Sequence, residues 1–282
     1  MGTGLSFKIF KPKGRLSRYI QAIWFASIND QDPVHWHLNS DGCTGLIFNL
    51  GEAICLDNTV LTMGVSTLPL STKTTHIMLP ARCRLVGVRF NPAVSHPSVD
   101  ITKRQPTQLN LSAKQNELYK NIFHTLLALS KPQVHLVAIY RWLSDSLAII
   151  CPPPNALAYT IQSINHKTAL ISQRQLERQF KQWLGITPKH FQRIIRVQKT
   201  LNTLKKKPFL SLAQVATMNG FADQSHMTKE LKQIALITPK QYRSIICDYA
   251  KLPNQAQLNS HTDSNNQRFT SIGYSTDPEI AN

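Results

Sequence analysis

The sequence predicts an α+β protein with a β-rich N-terminal part and an all-helical C-terminal part. Two observations support this prediction. Up to about residue 90, apolar runs of 4 to 9 residues, rich in β-branched and aromatic side chains, alternate with turn residues, which is typical of strands. Beyond Pro106, apolar residues recur at spacings of three and four, which is typical of helices.

The predicted strands lie in the runs IQAIWFASI, TGLIFNL, TVLTMGV, THIML and CRLVGVRF. Turn residues interrupt them at Asp41 and Gly42, at Asp57 and Asn58, and at Pro80. Strands this short pack most economically as a small barrel or sandwich.

Changes of pattern divide the chain into four segments. Residues 1–110 are expected to form the β domain, and residues 111–150 a helical pair that serves as a linker or in dimerisation. A helical domain is expected over residues 155–250, because the prolines after Cys151 cannot continue a helix. Residues 251–282 are too polar to bury a core, so we expect a disordered tail there.

Charge points to the helical domain as the site of anion binding. The chain has a net charge of +17, and residues 155–250 alone hold 15 Lys and Arg against 4 Asp and Glu, a net charge of +11. Such an excess favours nucleic acid or an anionic membrane surface as partner.

Cysteine usage and hydropathy favour a cytoplasmic protein. The five cysteines are scattered without a C-x-x-C pair, which fits a reducing compartment and argues against a structural zinc site. Neither the apolar core of a signal peptide nor an apolar stretch of roughly 18 residues is present in the sequence. We therefore expect no membrane partner.

Two segments of the basic part resemble each other, residues 171–191 and residues 221–243. Each carries an apolar stripe at helical spacing, formed by Leu176, Phe180 and Leu184 and by Met227, Leu231 and Ile234. The polar residues outside these stripes are the candidate DNA contacts: Gln173, Arg174, Glu177, Arg178, Lys181, Gln224, Ser225, His226 and Lys229.

The second segment completes a helix-turn-helix. Ser211 is a good N-cap for a short helix, and Gly220 makes the turn before the next helix. The second helix of this motif fits a major groove about 12 Å wide. The basic segment KHFQRIIRVQKTLNTLKKK would join both units, so that two recognition helices enter groove faces about 34 Å apart.

A simpler interpretation of these cations stays open. Charged runs are usually solvated helix faces, and His226 could equally hydrogen-bond within the turn. The residues 205–207, all lysine, could stabilise the end of the joining helix through its dipole or contact phosphates without sequence preference.

The pattern SQRQLERQFKQWLGITPKHFQRIIRVQKTLN, followed by SLAQVATMNGFADQSHMTKELKQIALITPKQYR, resembles the DNA-binding domain of the AraC/XylS family of bacterial transcription regulators over about residues 157–246. The resemblance implies a sequence-specific regulator and not an enzyme. Its implied partners are double-stranded DNA, RNA polymerase, a small-molecule effector and a second copy in a homodimer.

The sequence departs from the family pattern at two places. Only IQSINHKTAL precedes Ser172, so we expect the first helix-turn-helix to be incomplete. In the second unit Met227 and Leu231 replace aromatic residues, and Leu236 replaces the glycine after the recognition helix. Because a left-handed conformation is costly for leucine, we expect a rearranged cap.

The N-terminal part contains a possible metal site. His35, His37 and Asp41 have the spacing H-x-H-x-x-x-acid, which on a cupin-like barrel can hold a metal, with His76 as a fourth ligand. Asp41 and Gly42 fit a tight turn better, and the apolar run after them fits a core strand. We therefore expect no metal and no other cofactor.

The stretch DGC-x-x-LIFNLG, the later LVGVRFNP and the helical pair resemble the N-terminal sensory domain of one branch of AraC-type regulators. The resemblance implies a cupin-related barrel that binds an effector or mediates dimerisation. Residues that could line its pocket, or equally form plain core, are Trp24, Trp36, Phe48, Arg89 and Phe90. Arg89, in an apolar strand, requires an acidic partner from the chain or from a ligand.

Two other functional classes are alternatives. One is an enzyme, either a cupin-type metal-dependent enzyme fused to a DNA-binding module or a methyl-accepting repair protein. The cysteines are too dispersed for the zinc-activated cluster that the repair protein needs. The other class is a structural nucleoid protein, which would bind all duplexes with nearly equal affinity.

Overall fold

The structure is a computed structural model that describes residues 5–29, 31–94, 96–162 and 171–250. The predicted disordered tail lies outside the described residues. Residues 163–170, on which the expectation of an incomplete first helix-turn-helix depends, also lie outside them.

The strands form two antiparallel sheets. They are β1 (Leu5–Phe10), β2 (Ile20–Ile28), β3 (Val34–Leu38), β4 (Gly45–Asn49), β5 (Ile54–Leu56), β6 (Thr59–Leu61), β7 (Gly64–Leu68), β8 (Thr75–Leu79), β9 (Arg84–Phe90) and β10 (Thr107–Gln108). The larger sheet has the order β1-β2-β9-β4-β7-β10, and the smaller sheet the order β3-β8-β5-β6. Together they form an open, cupin-like barrel, which we call the β domain.

The helices are α1 (Glu117–Leu127), α2 (Pro132–Asp145), α3 (Asn155–Gln162), α4 (Gln173–Leu184), α5 (Pro188–Lys206), α6 (Leu212–Met218), α7 (Gln224–Ile234) and α8 (Pro239–Ala250). The α+β class, with strands first and helices after, is confirmed. We call α3 to α8 the helical domain. Among the described residues, no helix combines the length and the apolar character that crossing a membrane would require.

The larger sheet is covered on both faces. Successive side chains of each strand point to opposite faces of the sheet. One face packs with α1 and α2 around Phe25, Phe48 and Phe90. The other face packs against the smaller sheet around Trp24 and Ile47. Residues that are neighbours in sequence on β2, β4 and β9 therefore lie in different cores.

The β domain contacts the helical domain through several loops. The Ser40 carbonyl oxygen accepts a hydrogen bond from Nε2 of Gln198 on α5 at 2.5 Å. The amide of Thr74 donates to the carbonyl oxygen of Ile234, the last residue of α7, at 2.7 Å. Leu70 also joins the hydrophobic core of the helical domain.

The cap after α7 keeps the left-handed conformation although it carries no glycine. Leu236 has φ 57°, whereas Gly185 after α4 has φ 66°. The expected rearrangement of the cap does not occur. Leu236 adopts the left-handed conformation that glycine favours, and its Cβ makes this conformation less stable than it would be for glycine. The side chain of Leu236 is exposed, so packing offers little compensation.

We expect Leu236→Gly to raise the free energy of unfolding by about 0.5 to 1 kcal/mol, because it removes that steric cost. Denaturant unfolding of the full chain measures the change. The neighbouring Ala235→Gly is the matched control, since Ala235 has φ −90° and is buried, and it should be destabilising. A less stable Leu236→Gly variant would contradict the prediction.

Candidate functional site

The exposed face of α4 is the first part of the candidate DNA interface. A capping box starts this helix: Ser172 Oγ accepts from the Gln175 amide at 3.3 Å, and Gln175 Oε1 accepts from the Ser172 amide at 3.1 Å. The predicted stripe of Leu176, Phe180 and Leu184 is buried. All of the candidate contact residues on this helix are exposed: Gln173, Arg174, Glu177, Arg178 and Lys181.

Two of these residues interact with each other. Gln173 Nε2 donates a hydrogen bond to Glu177 Oε1 at 2.9 Å, one helical turn away. A carboxylate repels phosphates but can accept a hydrogen bond from the N4 amino group of cytosine. The face of α4 thus combines three cations with one acceptor suited to reading a base.

The exposed face of α7 is the second part. Gly220, at φ 73°, makes the turn after α6, and Asp223 caps α7 by accepting from the His226 amide at 2.7 Å. The predicted stripe of Met227, Leu231 and Ile234 is buried. Gln224, Ser225 and Lys229 are exposed, and the His226 side chain is 40% exposed.

His226 has contacts within the protein as well. Its Nε2 lies 3.5 Å from Glu230 Oε1, and its ring meets that of Phe221 edge to face at a centroid distance of 5.5 Å. These contacts support a structural role for His226 at the start of α7, and its exposed portion leaves a role in DNA contact open.

A charged cluster that the sequence analysis missed joins α7 to α5. Glu230 is buried on α7 and accepts hydrogen bonds from Arg193 Nε at 3.0 Å and from Arg196 Nη2 at 3.0 Å. The Arg196 guanidinium also lies 4.9 Å from the ring centre of Phe221. The sequence contains one indication of this cluster. Glu230 falls within the apolar stripe of α7, and a carboxylate buried there requires cationic partners.

A cavity of about 210 Å³ lies at the edge of the β domain, between its sheets. Its apolar lining includes Trp24, Leu38, Leu56 and Leu68. Its charged lining consists of Arg89, Arg104 and Asp57. A single water needs only about 10 to 15 Å³ on the same measure, so the cavity is large enough for a small organic molecule.

Sheet geometry separates the predicted pocket residues. Trp24 and Arg89 line the cavity, whereas Phe48 and Phe90 are buried on the opposite face of the larger sheet, in the core with α1 and α2. Trp36 packs partly buried against the core between the sheets. The cause is the two-residue period of a strand, which places Phe90 and Arg89 on different faces.

Arg89 has an internal acidic partner. Its Nε donates to Asp41 Oδ2 at 3.0 Å, and its Nη2 donates to Asp41 Oδ1. Asp41 Oδ1 also accepts from the Cys43 amide at 3.0 Å. Both side chains are largely buried, with 13% and 8% of their surface exposed. The requirement for a counter-charge is therefore met by the chain itself.

The histidines of the possible metal site pack on one another. His35 Nδ1 lies 3.1 Å from His76 Nε2, and the rings of His37 and His76 meet at 5.1 Å. Burial, and to a smaller extent the neighbouring His76, lowers the pKa of His37 to about 4. Asp41 pairs with Arg89, and the described residues contain no group of three or more His, Cys, Asp or Glu arranged to hold a metal.

Comparisons with known proteins match both parts of the chain. Residues 167–245 match a family model described as a helix-turn-helix domain, and residues 8–111 match one described as a domain of unknown function, DUF6597. The HTH-type transcriptional regulator MtrA of Neisseria gonorrhoeae is 40% identical over 75 residues, which are 27% of this chain. The match spans 25% of the length of that relative.

Solved structures of ToxT from Vibrio cholerae are similar over most of the chain. One shares 9% sequence identity, covers 86% of this chain and 98% of its own, and has a TM-score of 0.43. Another, from strain O395, shares 10% identity, covers 86% and 97%, and has a TM-score of 0.42.

Proposed function

We propose that this chain is a transcription regulator of the AraC/XylS family, which binds specific DNA sites with α4 and α7 and responds to a small molecule held in the β domain. The observation that best supports this proposal is that α4 and α7, each with an N-cap, expose polar and cationic faces, and that α5 lies between them in the chain.

The role of each side chain in this proposal follows from general features of DNA recognition. Cations such as Arg174, Arg178, Lys181 and Lys229 supply phosphate contacts, which position the protein and make its affinity salt-dependent. Neutral polar side chains at the start of α7, Gln224 and Ser225, supply contacts to base edges. We assign His226 to the support of this turn as well as to the interface.

The effector part of the proposal depends on the cavity. It combines apolar and charged lining, as small-molecule sites do, and it adjoins loops that contact the helical domain. The family resemblance further supports RNA polymerase as protein partner, a homodimer as the assembly and the cytoplasm as the location. The described cysteines are all free, which suits a reducing compartment.

Selection of bound duplexes from a random library by the full chain, at physiological ionic strength, tests the DNA part. We expect one enriched motif with two half-sites about 10 base pairs apart, since two recognition helices on one face are separated by about 34 Å. The selected duplex should bind about a thousandfold more tightly than random duplexes. Equal affinity for all duplexes would refute specific regulation and support the nucleoid alternative.

A further inference from the structure

The segment between α5 and α6 exposes a phenylalanine beside three cations. The side chain of Phe209 is apolar, yet the residue is 81% exposed, more than the other exposed large apolar residues in the described part of the chain. Residues 205–207 are all lysine, and all three are exposed. The sequence from residue 178 to residue 222 contains no Asp or Glu. Phe209 therefore lies in a strongly cationic part of the surface.

Local structure holds Phe209 in this exposed position. The amide of Leu210 donates to the carbonyl oxygen of Lys207 at 3.3 Å, which closes a turn over residues 207–210 that we call the Phe209 turn. Pro208 and Phe209 are its two central residues, and proline favours the first of these positions because its ring fixes φ. On either side, Leu204 and Leu210 pack into the core of the helical domain. Phe209 is thus left at the tip of an anchored turn.

The Phe209 turn leads directly into the first helix of the helix-turn-helix. Ser211 Oγ accepts from the Gln214 amide at 3.2 Å, and Gln214 Oε1 accepts from the Ser211 amide at 2.9 Å, so a capping box starts α6. In this motif the first helix crosses the DNA backbone while the second lies in the major groove. When α7 occupies a major groove, the Phe209 turn therefore faces the adjoining backbone and the minor groove beyond it.

Charge and rigidity favour DNA as the partner of this turn. Phosphates border a minor groove on both sides, so they attract exposed lysines next to an apolar tip. Pro208 and the hydrogen bond to Lys207 already fix the backbone of the turn, so binding orders little of the chain. The dipole of α5 accounts for lysines at its end but not for an exposed phenylalanine beside them. A minor groove uses both features.

We propose that the Phe209 turn is a third DNA contact, in which Lys205 and Lys207 bind phosphates and Phe209 enters the minor groove beside the half-site of α7. Apolar wedges, phenylalanine among them, partly unstack two base pairs and kink the duplex by about 20 to 90°. The inference deepens the proposed function and rests on it, because the turn reaches DNA only when α7 does.

Two duplexes test the contact with the full chain. One ends directly at the half-site of α7, which is the half-site whose selected sequence changes in Gln224→Ala. The other extends beyond it by one helical turn, about 10 base pairs. We expect the wild type to bind the extended duplex about tenfold more tightly than the short one, and Phe209→Ala to lose most of this gain. A variant that keeps the full gain overturns the inference.

Energy transfer between dyes at the two ends of the extended duplex measures the kink. Phe209→Ala should reduce the bend by at least about 20°, whereas Phe209→Leu should retain it, because leucine is also an effective wedge. Phe10→Ala is the matched control, since Phe10 is an exposed phenylalanine on β1 of the β domain, and it should bend DNA as the wild type does. Equal bending by Phe209→Ala and this control overturns the inference.

The lysines are tested through salt. Lys205→Gln/Lys207→Gln should make the slope of log affinity against log salt less negative by about 2 on the extended duplex, because two phosphate contacts are lost. Lys8→Gln/Lys13→Gln is the matched control, since both lysines are exposed on the β domain, and its slope should be that of the wild type. Equal slopes in the two double variants contradict the phosphate contacts and overturn the inference.

The two proposals fail separately. A chain that prefers one duplex sequence but binds and bends the extended duplex equally with and without Phe209 refutes only the inference about the turn. A chain that prefers no duplex sequence refutes the proposed function and this inference with it. If Phe209→Ala binds and bends DNA as the wild type does but lowers transcription by RNA polymerase, the turn contacts a protein instead and the inference is overturned.

Discussion

The double variant Arg174→Ala/Arg178→Ala is expected to bind the selected DNA site about a hundredfold more weakly than the wild type. Both side chains are exposed on α4. Each arginine contact to a base or phosphate contributes about 1 to 3 kcal/mol, so losing two reduces affinity by this order. Folding should be unaffected, because exposed residues away from special contacts change stability little.

Salt titration of DNA binding measures the same variant in a second way. Each lost phosphate contact should make the slope of log affinity against log salt less negative by about 1. Arg15→Ala/Arg18→Ala is the matched control, since these arginines are exposed on a short helical turn of the β domain. If the α4 variant keeps the affinity and salt slope of that control, α4 does not enter a groove.

Periodicity predicted the elements that are regular over their whole length. Strands β2 and β8 match the runs IQAIWFASI and THIML, and α1 and α2 match the apolar spacing after Pro106. The run TVLTMGV was predicted as one strand. In the structure it contains the whole of β6 and the first residues of β7, which belong to different sheets. A break inside an apolar run leaves no trace in composition, because both halves have the same residue types.

The side chains of the sites were predicted less completely than the elements. The sequence showed that Arg89 requires an acid, but any of the 15 acidic residues could supply it. Only the pairing of β9 with β4, which brings the loop before β4 next to Arg89, identifies Asp41. For the pocket, the strand register of neighbouring aromatic residues cannot be deduced from the sequence alone, so residues from both faces of the larger sheet were predicted to line one pocket.

The cluster around Glu230 depends on two segments that are distant in sequence. Arg193 and Arg196 lie on α5, which was predicted from its sequence only to be a basic connecting helix. Their charges are in part committed to Glu230 and to Gln233, whose Oε1 accepts from Arg193 Nη2 at 2.5 Å. Net charge therefore overstates the number of cations that α5 can offer to phosphates.

Glu230→Gln is expected to lower the free energy of unfolding by about 2 kcal/mol. The amide replaces a buried carboxylate, so the guanidinium groups of Arg193 and Arg196 lose their shared counter-charge. The cost stays below that of a fully buried ion pair, because both arginine side chains are 29% exposed. Denaturant unfolding of the full chain measures it.

The same substitution should weaken specific DNA binding by about tenfold while leaving its salt dependence unchanged, because it alters how α7 sits on α5 and removes no phosphate contact. Glu177→Gln is the matched control for stability, since Glu177 is an exposed glutamate on α4 with a hydrogen bond to Gln173. It should change stability by less than about 0.5 kcal/mol. If Glu230→Gln binds DNA as the wild type does, the cluster does not set the position of α7. A changed salt slope in Glu230→Gln would instead show that freed arginines reach the DNA.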